Sequence, residues 1–303
     1  MFPDQQPPSF LDPPALARLA AVPLCARWPM QGSVSGRHPS PHRGASIEFA
    51  EYRKYVPGDD PRLLDWRVYG RSDRFYVKES EADTNLRCCL VLDSSSSMDY
   101  GSGNITKMEY ARKIAGTMSY LAAQQGDAVG LYCVADGVIQ SIPPRRNAAH
   151  LTHVFDVLER TRPIGPTRLA PVLHELAETI EQRALVVVLS DLFIEPQELH
   201  SCFEHLRFRK HDVVAFHLLD PQELRFDFQR PMRFLDMEGG PSVFAEPNVI
   251  ADRYHKAMKN YLDTLGQLVL ESAVDYHRVS IDEDYESLLR RFLVGRTRQR
   301  SAR

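Results

Sequence analysis

Residues 86–98 read Leu-Arg-Cys-Cys-Leu-Val-Leu-Asp-Ser-Ser-Ser-Ser-Met, an apolar run that stops on a carboxylate, Asp93, and passes into hydroxyls at alternate positions, Ser95 and Ser97. A short buried strand ending this way presents hard oxygen donors at a sheet edge. Donors of that kind suit Mg²⁺ or Mn²⁺, which keep several waters and bind through few protein groups. A serine-rich turn after a strand is also what a solvated loop looks like, so the string needs support from elsewhere in the chain.

Two further segments supply it. Ile164-Gly165-Pro166-Thr167 puts a lone hydroxyl, Thr167, in a tight loop ahead of a helical pattern. The run Leu185-Val186-Val187-Val188-Leu189-Ser190-Asp191 is apolar up to a serine and a carboxylate, and it reads as a strand buried on both faces of a parallel sheet. Ligands of open α/β sheets bind beyond the carboxyl ends of the strands, where loops from several strands meet. Asp93, Ser95 and Ser97 on one loop, Thr167 on a second and Asp191 on a third satisfy that rule.

These five residues resemble the metal-ion-dependent adhesion site of von Willebrand factor A-type domains, in which Asp-x-Ser-x-Ser, a later loop Thr and a later strand-end Asp hold one divalent cation. The resemblance implies that Ser95, Ser97 and Thr167 are direct or switchable ligands and that Asp93 and Asp191 act largely through waters.

The elements that must position these residues follow from periodicity. Apolar positions Met108, Ala111, Ile114, Ala115, Met118, Leu121 and Ala122 keep helical spacing over 107–125. Strands are expected at 87–92, 128–135, 185–191, 212–219 and 275–281, with a short antiparallel strand at 138–142. Further helices are expected at 148–160, 169–182, 196–207, 250–272 and 285–293, and short strands and turns at 225–249. Alternating strands and helices predict an α/β fold with a doubly wound, mostly parallel sheet. An N-terminal extension would dock on it. The organisation expected is a Pro-rich arm over 1–31, a motif region over 32–85, the A-type domain over 86–295 and a basic tail over 296–303.

The 303 residues carry a net charge of −3, which gives no global attraction to nucleic acid or anionic membrane. The clusters Arg145–Arg146 and Arg296, Arg298, Arg300, Arg303 lack interleaved aromatics and read as solvated surface. Five cysteines (Cys25, Cys88, Cys89, Cys133, Cys202) form no C-x-x-C pair and read as buried reduced thiols. His38 and His42 are four apart, but Pro39 and Pro41 argue against a helix that would align them as ligands. No apolar stretch reaches a membrane span and no leader is apparent, so a cytoplasmic protein is expected.

Ahead of the Asp93 strand, residues 47–71 include Pro57-Gly58-Asp59-Asp60-Pro61-Arg62-Leu63-Leu64-Asp65-Trp66-Arg67 and then Gly70-Arg71. Pro57-Gly58 is a turn, the aspartates can cap a short helix, and arginines face carboxylates nearby. Trp66 amid these charges argues for packing against the domain. This string, with Asp236-Met237-Glu238 and Leu288-Leu289-Arg290-Arg291-Phe292, resembles the bacterial domain-of-unknown-function family 58 over roughly residues 32–295. Tyr69-Gly70 departs from the Ser-Ala more usual there and leaves the local packing open. Many relatives begin with a transmembrane hairpin that this chain lacks.

The resemblance implies a partner. Family members typically accompany MoxR-type AAA+ ATPases and are thought to act as adaptors in chaperone-like maturation of client proteins. A cation with an open coordination position can accept a carboxylate from another protein. No nucleotide-binding G-x-x-x-x-G-K-[ST] loop occurs. The rival reading is a Mg²⁺-dependent phosphoester hydrolase with Asp93 as nucleophile, but Ser95 stands where a second carboxylate would be needed. A serine hydrolase lacks its G-x-S-x-G elbow.

Overall fold

The structure, a computed structural model, describes residues 8–27, 38–39, 49–54, 66–72, 75–80, 83–84 and 86–301. Pro57 through Asp65, which carry the Pro-Gly-Asp-Asp expectation, lie outside the described residues, as do His42 and Arg303. The N-terminal part contributes helix α1 (Pro13–Leu19) and two small antiparallel pairs. These join β1 (His38–Pro39) to β4 (Asp83–Thr84), and β2 (Phe49–Lys54) to β3 (Tyr76–Ser80), with α2 (Trp66–Ser72) between β2 and β3. The loop expected around His38 therefore contains a two-residue strand. Tyr69 of α2 stacks on Phe75, ring centroids 4.5 Å apart.

The rest is a six-stranded sheet with helices on both faces, together with a separate two-stranded antiparallel pair. In chain order come β5 (Arg87–Asp93), a 3-10 turn (Ser96–Asp99), α3 (Lys107–Gln124), β6 (Ala128–Val134), β7 (Val138–Arg145), α4 (Ala148–Arg160), α5 (Leu169–Thr179) and β8 (Leu185–Ser190). Then follow α6 (Pro196–Phe208), β9 (Asp212–Leu219), α7 (Pro221–Arg225), β10 (Met232–Phe234), β11 (Val243–Ala245), α8 (Pro247–Glu271), β12 (Asp275–Ser280) and α9 (Tyr285–Ser301). The sheet order is β12-β9-β8-β5-β6-β7, parallel throughout except for the antiparallel edge strand β7. β7 runs past the expected end through Pro143-Pro144, because an edge strand can spare the N–H groups that proline lacks.

Alternation of side chains divides the core. Leu90 and Leu92 of β5, with Val187, Leu189 and Phe216 of the adjoining strands, face α1, α3, α4 and α9. Cys89, Val91, Val186 and Val188 face α5, α6 and α8. Burial on both faces is why β5 and β8 read as unbroken apolar runs. All five cysteines are buried.

The arm preceding the sheet is packed. Phe10, Leu11, Leu16, Leu19 and Leu24 join the core on the α3 side. Gly116 lets this happen: a Cβ there would lie 2.5 Å from the Phe10 ring. At the amino end of the sheet, Arg296 corrects the reading of the tail as solvated surface. Helix α9 continues to Ser301, and Arg296 is 2 % exposed. Its guanidinium donates to Asp212 Oδ2 at 2.8 Å, to Asp275 Oδ2 at 3.0 Å and to the Cys25 carbonyl at 3.0 Å. One buried arginine thus ties the first residues of β9 and β12 to the arm, which is why the helix outlasts its apolar pattern.

Candidate metal centre

From β5 the chain crosses to β6 on one side of the sheet, and from β8 it crosses to β9 on the other. The connections therefore diverge above the β5–β8 boundary, the topological switch point at which open α/β sheets bind ligands. Asp93 is the last residue of β5 and Asp191 follows the last residue of β8. Register places Leu92 opposite Leu189, so Asp93 and Ser190 are neighbours across the ladder.

Asp93 is held from behind. Its Oδ1 accepts the Ser95 N–H at 2.9 Å and its Oδ2 accepts the Ser190 hydroxyl at 2.6 Å. This turn sets the next two hydroxyls side by side, with Ser95 Oγ and Ser97 Oγ 3.0 Å apart. The second loop is laid along the first by backbone pairing. The Ile164 N–H donates to the Ser94 carbonyl at 2.8 Å, and the Ser96 N–H donates to the Gly165 carbonyl at 2.9 Å. Gly165, at φ +71°, takes the left-handed turn this requires. The result brings Thr167 to the serine loop, and its Oγ1 is buried with no hydrogen-bond partner.

Around Asp191 the backbone is strained. Leu192 sits at φ 52°, a region costly for a branched side chain. It is held there by full burial, by its N–H donating to Ser190 Oγ at 2.9 Å, and by its carbonyl accepting the Tyr261 hydroxyl. Asp191 meets a residue that motif spacing does not flag. Lys107, 1 % exposed, donates from Nζ to Asp191 Oδ2 at 2.6 Å and to Glu223 Oε1 at 2.9 Å. The sequence does hold one signal of it: Lys107 is the first residue of α3, capped by Thr106 and Glu109, and a cation opposes the helix dipole there. Glu223 from α7 is likewise missed by sequence reasoning, and Glu238 from the β10–β11 connection enters there only through the family resemblance, with no role at this site; Glu238 Oε2 accepts the Thr167 N–H at 3.0 Å.

Electrostatics follow from burial. Removal from water pushes the Asp93 carboxyl up to about 6, and the neighbouring Asp191 charge adds to this, against the opposing hydrogen bonds of Ser190 and Ser95. Burial raises Glu223 too, partly offset by Lys107. For Lys107 burial acts downward, but Asp191 and Glu223 outweigh it and hold the ammonium charged above its ordinary value. One ammonium thus serves at least two carboxylates, and the site has negative charge left over.

These features fit a small hard cation. The donors are hydroxyl and carboxylate oxygens from three loops, one of them an orphaned buried hydroxyl, and unsatisfied buried polar atoms are costly and rare. Among the described residues no three His, Cys, Asp or Glu side chains gather to hold a metal. A cation here depends on the serine and threonine hydroxyls. Beside the donors opens a cavity of 470 Å³ whose wall includes Ser97, Asp191 and Lys107 on one side and Phe226, Phe234 and Tyr254 on the other.

The chain belongs to the family described as "Protein of unknown function DUF58", whose profile matches residues 51–264. It is 26 % identical over 302 residues to uncharacterized proteins of Mycobacterium tuberculosis and Mycobacterium bovis, an alignment covering 96 % of this chain and 94 % of each relative. Among solved structures it is similar to the conserved hypothetical protein BatB of Bacteroides thetaiotaomicron. That match has 14 % identity and a TM-score of 0.48, covering 71 % of this chain and 100 % of that one. It is also similar to the VWA domain of SpRpn10, with 13 % identity and a TM-score of 0.36, covering 45 % of this chain and 76 % of that one. Among the described residues no helix is long and apolar enough to cross a membrane.

Proposed function

We propose that this chain is a non-enzymatic protein-interaction module of the cytoplasm. It would hold Mg²⁺ or Mn²⁺ through Ser95, Ser97 and Thr167, with Asp93 and Asp191 acting through waters, and dock an acidic side chain of a partner. The partner in this reading is a MoxR-type AAA+ ATPase, for which the chain acts as adaptor in chaperone-like maturation or remodelling of a client. The observations that carry the reading are the orphaned Thr167 hydroxyl, in a loop whose backbone pairs with the serine loop, and the paired Ser95 and Ser97 hydroxyls, with Ser97 in the wall of an open cavity. When bound, the cation supplies a Lewis-acidic position for a carboxylate oxygen. The chain's own residues set the donor geometry and, through Ser190 and Lys107, fix the two carboxylates.

The hydrolase alternative has weaker support. Both oxygens of Asp93 are engaged, one by the Ser95 N–H and one by the Ser190 hydroxyl, which suits a positioned acceptor better than a nucleophile. Copurification with an ATPase encoded nearby tests the adaptor reading. The complex should dissociate in EDTA, return with Mg²⁺, and fail to form with Ser97→Ala. A complex equally tight with and without chelator contradicts the cation-dependent contact, and turnover of phosphoester substrates contradicts the non-enzymatic one.

A further inference from the structure

The connection between β10 and β11 reaches over the centre and is shaped at its tip. The Glu238 N–H donates to Asp236 Oδ1 at 2.8 Å, Gly239 adopts φ +94°, and a Cβ on Gly240 would collide with Asp236 Oδ2. That turn sends the half-buried Glu238 inward, while Leu235 and Met237 stay exposed. At its base the hairpin is clamped by Phe226, which stacks on Phe234 at 5.6 Å and on Tyr254 at 4.2 Å. Glu238 then accepts the backbone N–H of Thr167, the residue whose hydroxyl is orphaned.

Charge makes this placement informative. The cavity wall carries Asp191, Glu223, Asp236 and Glu238 against the single ammonium of Lys107. Bringing one more carboxylate onto such a cluster is repulsive in a low-dielectric setting unless a cation lies among them. Backbone turn chemistry nevertheless directs Glu238 there.

Resting on the metal reading above, we propose that Glu238 is a built-in carboxylate ligand of the centre, filling the coordination position that a partner's acidic side chain enters once the 232–245 hairpin lifts. Mn²⁺ alone is the probe, titrated into the whole chain by calorimetry and by water-proton relaxation, which reads exchangeable water on the bound ion. Glu238→Gln keeps the size and removes the charge, with Glu238→Ala as a second variant that cannot coordinate at all. Both should weaken Mn²⁺ about tenfold or more, in line with other losses around metal sites. Both should also raise the relaxation enhancement per bound ion, as water takes the vacated position. Unchanged affinity and unchanged relaxation in both variants, with Mn²⁺ still bound by the wild type and lost in Ser97→Ala, overturn this inference alone. No Mn²⁺ binding by the wild type overturns the metal reading and this inference together.

Discussion

At Lys107 the chain buries an ammonium at the start of a helix, against the dipole, and satisfies it with Asp191 and Glu223. Removing one partner of a buried pair typically costs about 3–5 kcal/mol, because the other charge is left uncompensated. Lys107→Met should therefore lower the denaturant midpoint by a comparable amount in EDTA. Excess Mg²⁺ should recover more stability in this variant than in the wild type, since the added cation then replaces the lost charge. A loss of less than about 1 kcal/mol in EDTA would mean that the pair is solvated and does not neutralise the site. Four of the five candidate donors, Asp93, Ser95, Ser97 and Asp191, are legible in the sequence because they follow apolar strand runs, whereas Thr167, in the loop ahead of α5, stands out through the family resemblance. Lys107 is not legible, because its partners lie 84 and 116 residues away and no local spacing points to them.

Among the elements, α1 and its flanks are the clearest case of packing that composition disguises. Prolines and the apolar patch from Leu16 to Val22 suggest an extended arm with one short helix; the helix is there as α1, and the arm is packed, for Phe10 fills the space above Gly116 and meets Phe155 edge-on at 6.0 Å. Phe10→Ala should cost about 3–5 kcal/mol, the usual range for a buried aromatic, measured as a shift in denaturant midpoint. A loss confined to faster proteolysis of the arm, with the midpoint unchanged, would show that the arm opens independently of the sheet. Helix and strand types are readable from periods of 3.6 and 2. Ends are less so where tertiary contacts decide them: α5 stops at Thr179 as Ile180 turns into the core, and α9 continues because Arg296 finds Asp212 and Asp275.

For the whole molecule, acid should act in two stages. Burial, reinforced by the Arg209 charge, lowers His211 to about 4, below its unfolded value. The unfolded chain then binds the extra proton, so this contribution is complete above about pH 6.5 and is lost as pH falls toward 4, on the order of 3 kcal/mol in all. Burial acts upward on Asp275, but the His277 hydrogen bond and the charges of Arg296, His277 and Arg27 prevail and hold it at about 2. Its share is present above about pH 4 and disappears as pH falls toward 2. Thermal melts across this range should decline in both windows, and His211→Phe should reduce the upper decline, the rest of which comes from His217, also lowered to about 4 by burial. A melting temperature flat from about pH 7 to 4 in the wild type would contradict a buried neutral His211.

The central claim is that hydroxyls and carboxylates from three loops hold a divalent cation, and thermal melts with and without Mg²⁺ or Mn²⁺ test it most directly. At a hundredfold excess over Kd, binding to the folded state adds about 2.7 kcal/mol. For a chain of this size that is a rise of several degrees, at roughly 2–4 °C per kcal/mol or somewhat less. The rise should shrink sharply in Ser97→Ala and Thr167→Ala, whose metal-free melting should stay close to that of the wild type. A wild-type melting curve unmoved by either cation would contradict the account.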